Sequence, residues 1–177
     1  MSKSTAFMGS KEAGLQLCSL LCDLLPRGTL KVIICPNDSQ DSRSVFPLFL
    51  DLAQKNNIPI HITNSQKETA SLIEKYNVQI SFVHGWYQII PIDGSCEFYG
   101  FHYSSLAKYR GNAPLVWQII NGESEVGVSF FRFNEFMDEG ELVSQEKVAL
   151  GCDEDIGDAL RKTNTLAIEL ARKYIPH

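Results

Sequence analysis

The sequence lacks the marks of several function classes. Cys18, Cys22, Cys35, Cys96 and Cys152 are an odd number with no Cys-x-x-Cys pair, which suggests neither a zinc site nor a disulfide framework. They read as reduced, mostly buried thiols of a cytosolic protein, and no metal is expected. Basic residues are few and scattered: 16 Lys and Arg stand against 21 Asp and Glu, a formal net charge of -5. Nucleic-acid binding normally needs a basic face for phosphate contacts, so nucleic acid is disfavoured as a partner, although charge alone leaves a tRNA open. The densest basic group, Arg161, Lys162, Arg172 and Lys173, falls on an expected C-terminal helix, where it serves solvation. No apolar run approaches the roughly 18 residues of a membrane span. The start MSKSTAFMG lacks the charged-then-apolar order of a leader. Internal repeats, low-complexity segments and linkers are absent as well.

What is present suits one domain spanning residues 1–177. With 44% apolar and 21% charged residues, a chain of this length can bury a core without disulfides. Residues 5–9 form a short apolar run ending in Gly9, and Leu15, Cys18, Leu21, Cys22 and Leu25 follow at helical spacing. A second strand is expected over residues 30–35, then a polar turn and a helix with Val45, Leu48, Phe49 and Leu52 facing inward. A third strand spans about 58–62. Ser65 with Glu68 has the spacing of a capping box for a helix carrying Leu72, Ile73 and Tyr76, and residues 78–83 make a fourth strand. Residues 130–133 and 141–148 read as further strands. A last helix over about 153–174 carries Ile156, Leu160, Ala167 and Leu170 on one stripe, with acids first and bases last as the helix dipole favours. Alternating strands and helices imply an α/β fold with a mostly parallel sheet covered on both faces. In such sheets ligands bind beyond the carboxyl ends of the strands, which here are Gly9-Ser10-Lys11, His84-Gly85-Trp86-Tyr87 and His102.

The stretch from Gly100 to Leu142 carries the chemistry. His102 is followed by Ser104, Leu106, Lys108, Tyr109, Arg110, Gly111, Ala113 and Pro114, then by Asn121, Gly122, Glu123, Gly127 and Val128, and finally by Met137, Asp138, Glu139 and Gly140. A lone histidine on an apolar run is usually a core residue, and a lone aspartate before Glu-Gly is usually a turn residue. Their ordered company resembles the core motif of the tetrahydrofolate-dependent formyltransferases, Asn-x-His-x-Ser-Leu-Leu-Pro-x-x-Arg-Gly followed by Leu-Asp-x-Gly. The chain departs from it in that Gly100 stands where the family has its catalytic Asn, Ser105 replaces a Leu, Ala107 replaces the Pro, and Met137 replaces the Leu before Asp138.

The resemblance implies a Rossmann-like formyltransferase fold and formyl transfer from N10-formyltetrahydrofolate, as co-substrate, to a primary amine. His102 and Asp138 would then be the catalytic pair. His84, Trp86, Gln88, Ile89 and Ile90 would form a slot for the pterin, with Met137 and the main chain around Asp138 opposite. The acceptor would lie against Gly9, Ser10, Lys11 and Ser104. Arg110 is expected to tie its loop through carboxylate or backbone contacts. The methionyl-tRNA branch adds a C-terminal barrel, whereas the resemblance here covers the catalytic domain alone, of a single-domain member or of a longer chain; the LVWQIINGE segment resembles the sugar and small-amine branch more, so a nucleotide-linked amino sugar is one expected acceptor.

Chemically, formyl transfer needs a donor for the developing oxyanion and a relay for one proton, roles that an imidazole beside a carboxylate fits. Loss of one oxyanion donor costs about 2.7 to 4 kcal/mol, and Gly100 has no side chain to offer. A backbone N–H, a water or another side chain, Asn112 and Ser104 being nearest in sequence, could replace it. Alternatively the enzyme is slow, or the chain is a folate or nucleotide-sugar binding module without activity. Hydrolysis of the formyl donor is a third reading. Replacement is favoured, because a decayed site has little reason to keep His102, Arg110-Gly111 and Met137–Gly140 together.

Overall fold

The computed structural model describes residues 3–175. By their internal contacts these fall into two compact units, residues 3–98 and 99–175.

In the first unit, β1 (Thr5–Gly9) leads into α1 (Lys11–Leu24), followed by β2 (Leu30–Cys35), α2 (Phe46–Asn56), β3 (Ile60–Ile62), α3 (Gln66–Lys75) and β4 (Ile80–His84). The strands are parallel in the order β3-β2-β1-β4. All five residues of β1 are buried, as an inner strand covered on both faces requires. Phe7 stacks on Phe49 of α2 with ring centroids 5.7 Å apart, and Leu17, Cys18 and Leu21 of α1 complete this core. Burial pushes the Cys35 thiol up to about 12, so this cysteine packs rather than reacts.

Several helix faces differ from their expected phase. Leu48 is 51% exposed, and α2 buries Phe49, as expected, together with Ala53. At α3 the Ser65 hydroxyl accepts from the Glu68 N–H as expected. The reciprocal half of the box is absent: the Glu68 carboxylate accepts from Thr63 Oγ1, and the Ser65 N–H donates to that same hydroxyl. A better-placed hydroxyl just upstream has displaced the return bond.

In the second unit, β5 (Glu97–His102) pairs antiparallel with β6 (Glu125–Arg132) through residues 99–102, and β6 pairs antiparallel with β7 (Glu141–Ala149). The mostly parallel arrangement expected is thus parallel over β1–β4, while β5–β7 pair antiparallel. Between β5 and β6 lies a short helix, α4 (Pro114–Ile120), and α5 (Ile156–Tyr174) closes the unit. Leu115, Val126 and Ala159 form a core cluster, with Tyr103, Ile119, Val148 and Leu150 packed against it. Asp155 and Asp158 make a reciprocal capping box at the start of α5. Of the stripe expected on α5, Ala167 and Leu170 are buried, while Ile156 and Leu160 are each 45% exposed and Ala159, Thr163 and Ala171 complete the buried face.

Candidate active site

In the first unit the chain leaves β1 for β2 on one side and returns at β4 on the other, the strand-order switch at which α/β sheets bind ligands. The carboxyl ends of β1 and β4 meet closely there. A Cβ on Gly9 would lie 1.9 Å from the His84 carbonyl oxygen, so no side chain fits. The Ser10 N–H donates to that same oxygen at 3.3 Å, and the Ser10 hydroxyl donates to the Gly85 carbonyl at 2.7 Å.

Lys11 begins α1 with a left-handed backbone, φ 65°. Its ammonium lies 2.7 Å from Asp38 and 2.9 Å from Asp41. Asp38 also accepts from the Ser44 hydroxyl, and Asp41 is held by Arg43. Gly9 and Ser10, expected against an acceptor, are buried in the turn, and the Lys11 ammonium is paired with two carboxylates.

The segment after β4 has two layers. His84 is buried, and burial lowers its imidazole to about 4, so it packs as a neutral ring. Beyond it Tyr87 and Ile89 are 61% and 73% exposed. Gln88 donates through its carboxamide to the Thr63 carbonyl and to Asn64, which fixes the loop. Trp86 Nε1 and Gln88 Oε1 are buried without a hydrogen-bond partner among the described residues. One open donor and one open acceptor beside exposed aromatic and aliphatic surface fit a flat heterocycle with alternating polar edges, which a pterin is.

In the second unit, His102 ends β5 and is 8% exposed. Its Nε2 lies 2.7 Å from the Tyr109 carbonyl oxygen. A carbonyl only accepts, so Nε2 carries a proton and Nδ1 is the nitrogen free to change state. Nδ1 faces Asp138 Oδ2 at 3.6 Å. That oxygen accepts from the Gly111 N–H at 2.8 Å. Arg110 donates to the Asp138 carbonyl at 3.1 Å and pairs with Glu139 at 2.9 Å, the tying role expected of it.

The loop that carries these groups is held from several sides. Tyr109, Gly111 and Ala113 all take positive φ, a conformation costly for the two non-glycine residues and maintained by the tertiary bonds around them. The Tyr109 hydroxyl donates to Glu123 at 2.6 Å and accepts from Asn121. Ser129 of β6 donates to the Ser104 carbonyl and accepts from the Leu106 N–H. The peptide between Leu106 and Ala107, where the family motif has proline, is cis.

Ser104 is fully buried, and its hydroxyl donates to the Lys108 carbonyl at 2.6 Å. This removes it from the acceptor surface expected for it and makes it a brace for the loop. Asp138 also has a left-handed backbone, φ 51°, which aspartate tolerates better than most residues. Met137 beside it is 75% exposed. Sequence reasoning passed over the Tyr109 carbonyl and the Gly111 N–H, since main-chain groups leave no mark in residue type; their only signal was the Tyr-Arg-Gly run.

One imidazole nitrogen is thus held by a carbonyl and the other faces a carboxylate, an arrangement that can pass a proton. The family model described as formyl transferase matches residues 42–173, and the chain belongs to this family. Methionyl-tRNA formyltransferase of Thermosipho africanus is 32% identical over 128 residues, covering 71% of this chain and 42% of that protein. The chain thus spans less than half the length of that relative. Two solved structures share the fold. Glycinamide ribonucleotide transformylase 1 from Symbiobacterium toebii has a TM-score of 0.81 at 15% identity, covering 97% of this chain and 84% of the other. WlaRD, a sugar 3N-formyl transferase crystallised with dTDP and 5-N-formyl-THF, has a TM-score of 0.77 at 20% identity, covering 99% and 62%. No helix among the described residues is long and apolar enough to cross a membrane.

Proposed function

We propose that this protein transfers a formyl group from N10-formyltetrahydrofolate to the primary amine of a small acceptor. The observation that carries this reading is the His102–Asp138 pair: Nδ1 and Oδ2 3.6 Å apart, with Nε2 fixed by the Tyr109 carbonyl. The formyl donor supplies an electrophilic carbon on a nitrogen that becomes a leaving group. His102 takes the proton that the attacking amine loses, on Nδ1, and returns it to the departing nitrogen. Asp138 stabilises the imidazolium in between, held on its inner side by the Gly111 N–H so that its charge stays directed at the ring.

On this reading the loop after β4 holds the pterin. Trp86 and Gln88 supply the open polar atoms, and Tyr87, Ile89 and Ile90 the apolar wall. The acceptor is the finer part of the proposal. The names of the relatives carry three acceptor chemistries: methionyl-tRNA, glycinamide ribonucleotide and a sugar amine. A net charge of -5 and the neutralised Lys11 favour a small amine, such as an amino sugar on a nucleotide, over a polyanion.

Titration with 5-formyltetrahydrofolate, a stable isomer of the donor, tests this reading without knowledge of the acceptor, by following Trp86 and Trp117 fluorescence. Micromolar binding is expected. A folded protein that fails to bind at millimolar ligand contradicts the proposal. Formate released from N10-formyltetrahydrofolate in the absence of any amine would replace transfer by hydrolysis.

A further inference from the structure

The formyl carbonyl gains negative charge during attack, and that charge needs a hydrogen-bond donor aimed at it. The donors around His102 and Asp138 in the second unit are nearly all in use. His102 Nε2–H is on the Tyr109 carbonyl, and Nδ1 serves the proton. The Gly111 N–H is on Asp138, and Arg110 is on the Asp138 carbonyl and Glu139. Ser104 is fully buried with its hydroxyl on Lys108. Gly100, where the motif leads one to look for the donor, has no side chain.

Every carboxamide of this unit but one has a hydrogen-bond partner. Asn121 donates to the Tyr109 hydroxyl, and Asn134 accepts from the Phe136 N–H. Asn164 accepts from the Tyr103 hydroxyl. Gln118 donates to the Tyr103 and Pro114 carbonyls, and Gln145 to Leu106 and Ser129. Asn112 alone has a side-chain amide with no hydrogen-bond partner among the described residues, and it is exposed. It directly follows Gly111, whose N–H touches the same Asp138 oxygen that faces His102. The left-handed turns at Tyr109, Gly111 and Ala113 fix the backbone on both sides of it.

We propose that Asn112 is a catalytic residue whose side-chain N–H stabilises the oxyanion of formyl transfer, taking over the work that a side chain at position 100 cannot do. The inference rests on the formyl-transfer reading. In the step it serves, the amine lone pair forms a bond to the formyl carbon, and the carbonyl π pair moves onto oxygen, where the Asn112 N–H donates to it. When the oxygen pair returns, the bond from carbon to the folate nitrogen breaks with its electrons on nitrogen. That nitrogen takes the proton lost by the amine through His102, leaving tetrahydrofolate and the N-formyl product.

The test compares wild type with Asn112→Ala and with Asn112→Asp, which keeps the shape but loses the donor. Each would be assayed by N10-formyltetrahydrofolate consumption with methionyl-tRNA, glycinamide ribonucleotide and a dTDP-linked 3-amino sugar as acceptors. Both variants should lower kcat about 100- to 1,000-fold, the scale for one lost oxyanion donor. Their affinity for 5-formyltetrahydrofolate should stay within about twofold of wild type, since the bond strengthens only as charge develops. Variants with kcat within about threefold of wild type, or with the loss confined to donor affinity, overturn the assignment and leave the formyl-transfer reading intact. A wild-type protein that consumes no donor under any condition overturns both.

Discussion

His102 and Asp138 face each other across 3.6 Å, too far for a direct hydrogen bond and within ion-pair distance. The gap is set from both sides: Nε2 of the ring is fixed on the Tyr109 carbonyl, and the carboxylate is drawn toward the Gly111 N–H. A pair clamped tightly together would have no nitrogen to offer a substrate. Here Nδ1 is oriented by its partner and still open to exchange a proton with a third group.

Asp138→Asn separates the charge of that carboxylate from its structural bond. The amide oxygen can still accept from Gly111, and asparagine tolerates the left-handed backbone at this position. Thermal stability should change little, while kcat for formyl transfer should fall at least about 100-fold. Equal activity in the two proteins would show that the charge of Asp138 has no part in the reaction.

The turn at the end of β1 gives a prediction on stability. Gly9→Ala places a methyl 1.9 Å from the His84 carbonyl oxygen, on backbone that cannot move aside, and should cost about 3 kcal/mol or prevent folding. Gly28→Ala meets open space and only the strain of φ +79°, at a cost of about 1 kcal/mol. Urea unfolding of the two variants checks the order; a milder loss at Gly9 than at Gly28 would contradict the close approach of β1 and β4.

Acid should weaken the first unit through His84. Burial lowers this imidazole to about 4, against about 6.5 in an unfolded chain. Between those values the unfolded chain holds a proton that the folded one refuses. The contribution of neutral His84 is therefore complete above pH 6.5 and is lost as pH falls, by about 3 kcal/mol at pH 4. Unfolding free energies measured from pH 7 to pH 4 should show this slope in wild type, and His84→Gln should flatten it. An unchanged slope in that variant would assign the acid sensitivity to other groups.

The strands and the His102–Asp138 pairing were legible because each leaves a pattern in residue type: an apolar run such as residues 30–35, or a motif spread in fixed order around one histidine. Side-chain commitments were less so. Lys11 at a strand end reads as a cation free for a ligand, and only the fold brings Asp38 and Asp41 against it. Ser10 and Ser104 read as available hydroxyls, yet each donates to a main-chain carbonyl. On α5 Ala167 and Leu170 are buried as the stripe predicts, whereas close packing replaces the bulky Ile156 and Leu160 by Ala159 and Ala171. Thr163 joins them because its hydroxyl returns to the Ala159 carbonyl at 2.8 Å, a bond that hydropathy does not register.

The measurement that bears most directly on the proposed function is single-turnover consumption of N10-formyltetrahydrofolate by wild type and by His102→Ala, with and without an amine acceptor. Amine-dependent consumption by wild type is expected. In His102→Ala it should fall at least about 100-fold while 5-formyltetrahydrofolate still binds. Consumption by His102→Ala at the wild-type rate, or none by a folded wild type that also fails to bind the folate, would contradict the assignment of formyl transfer to this site.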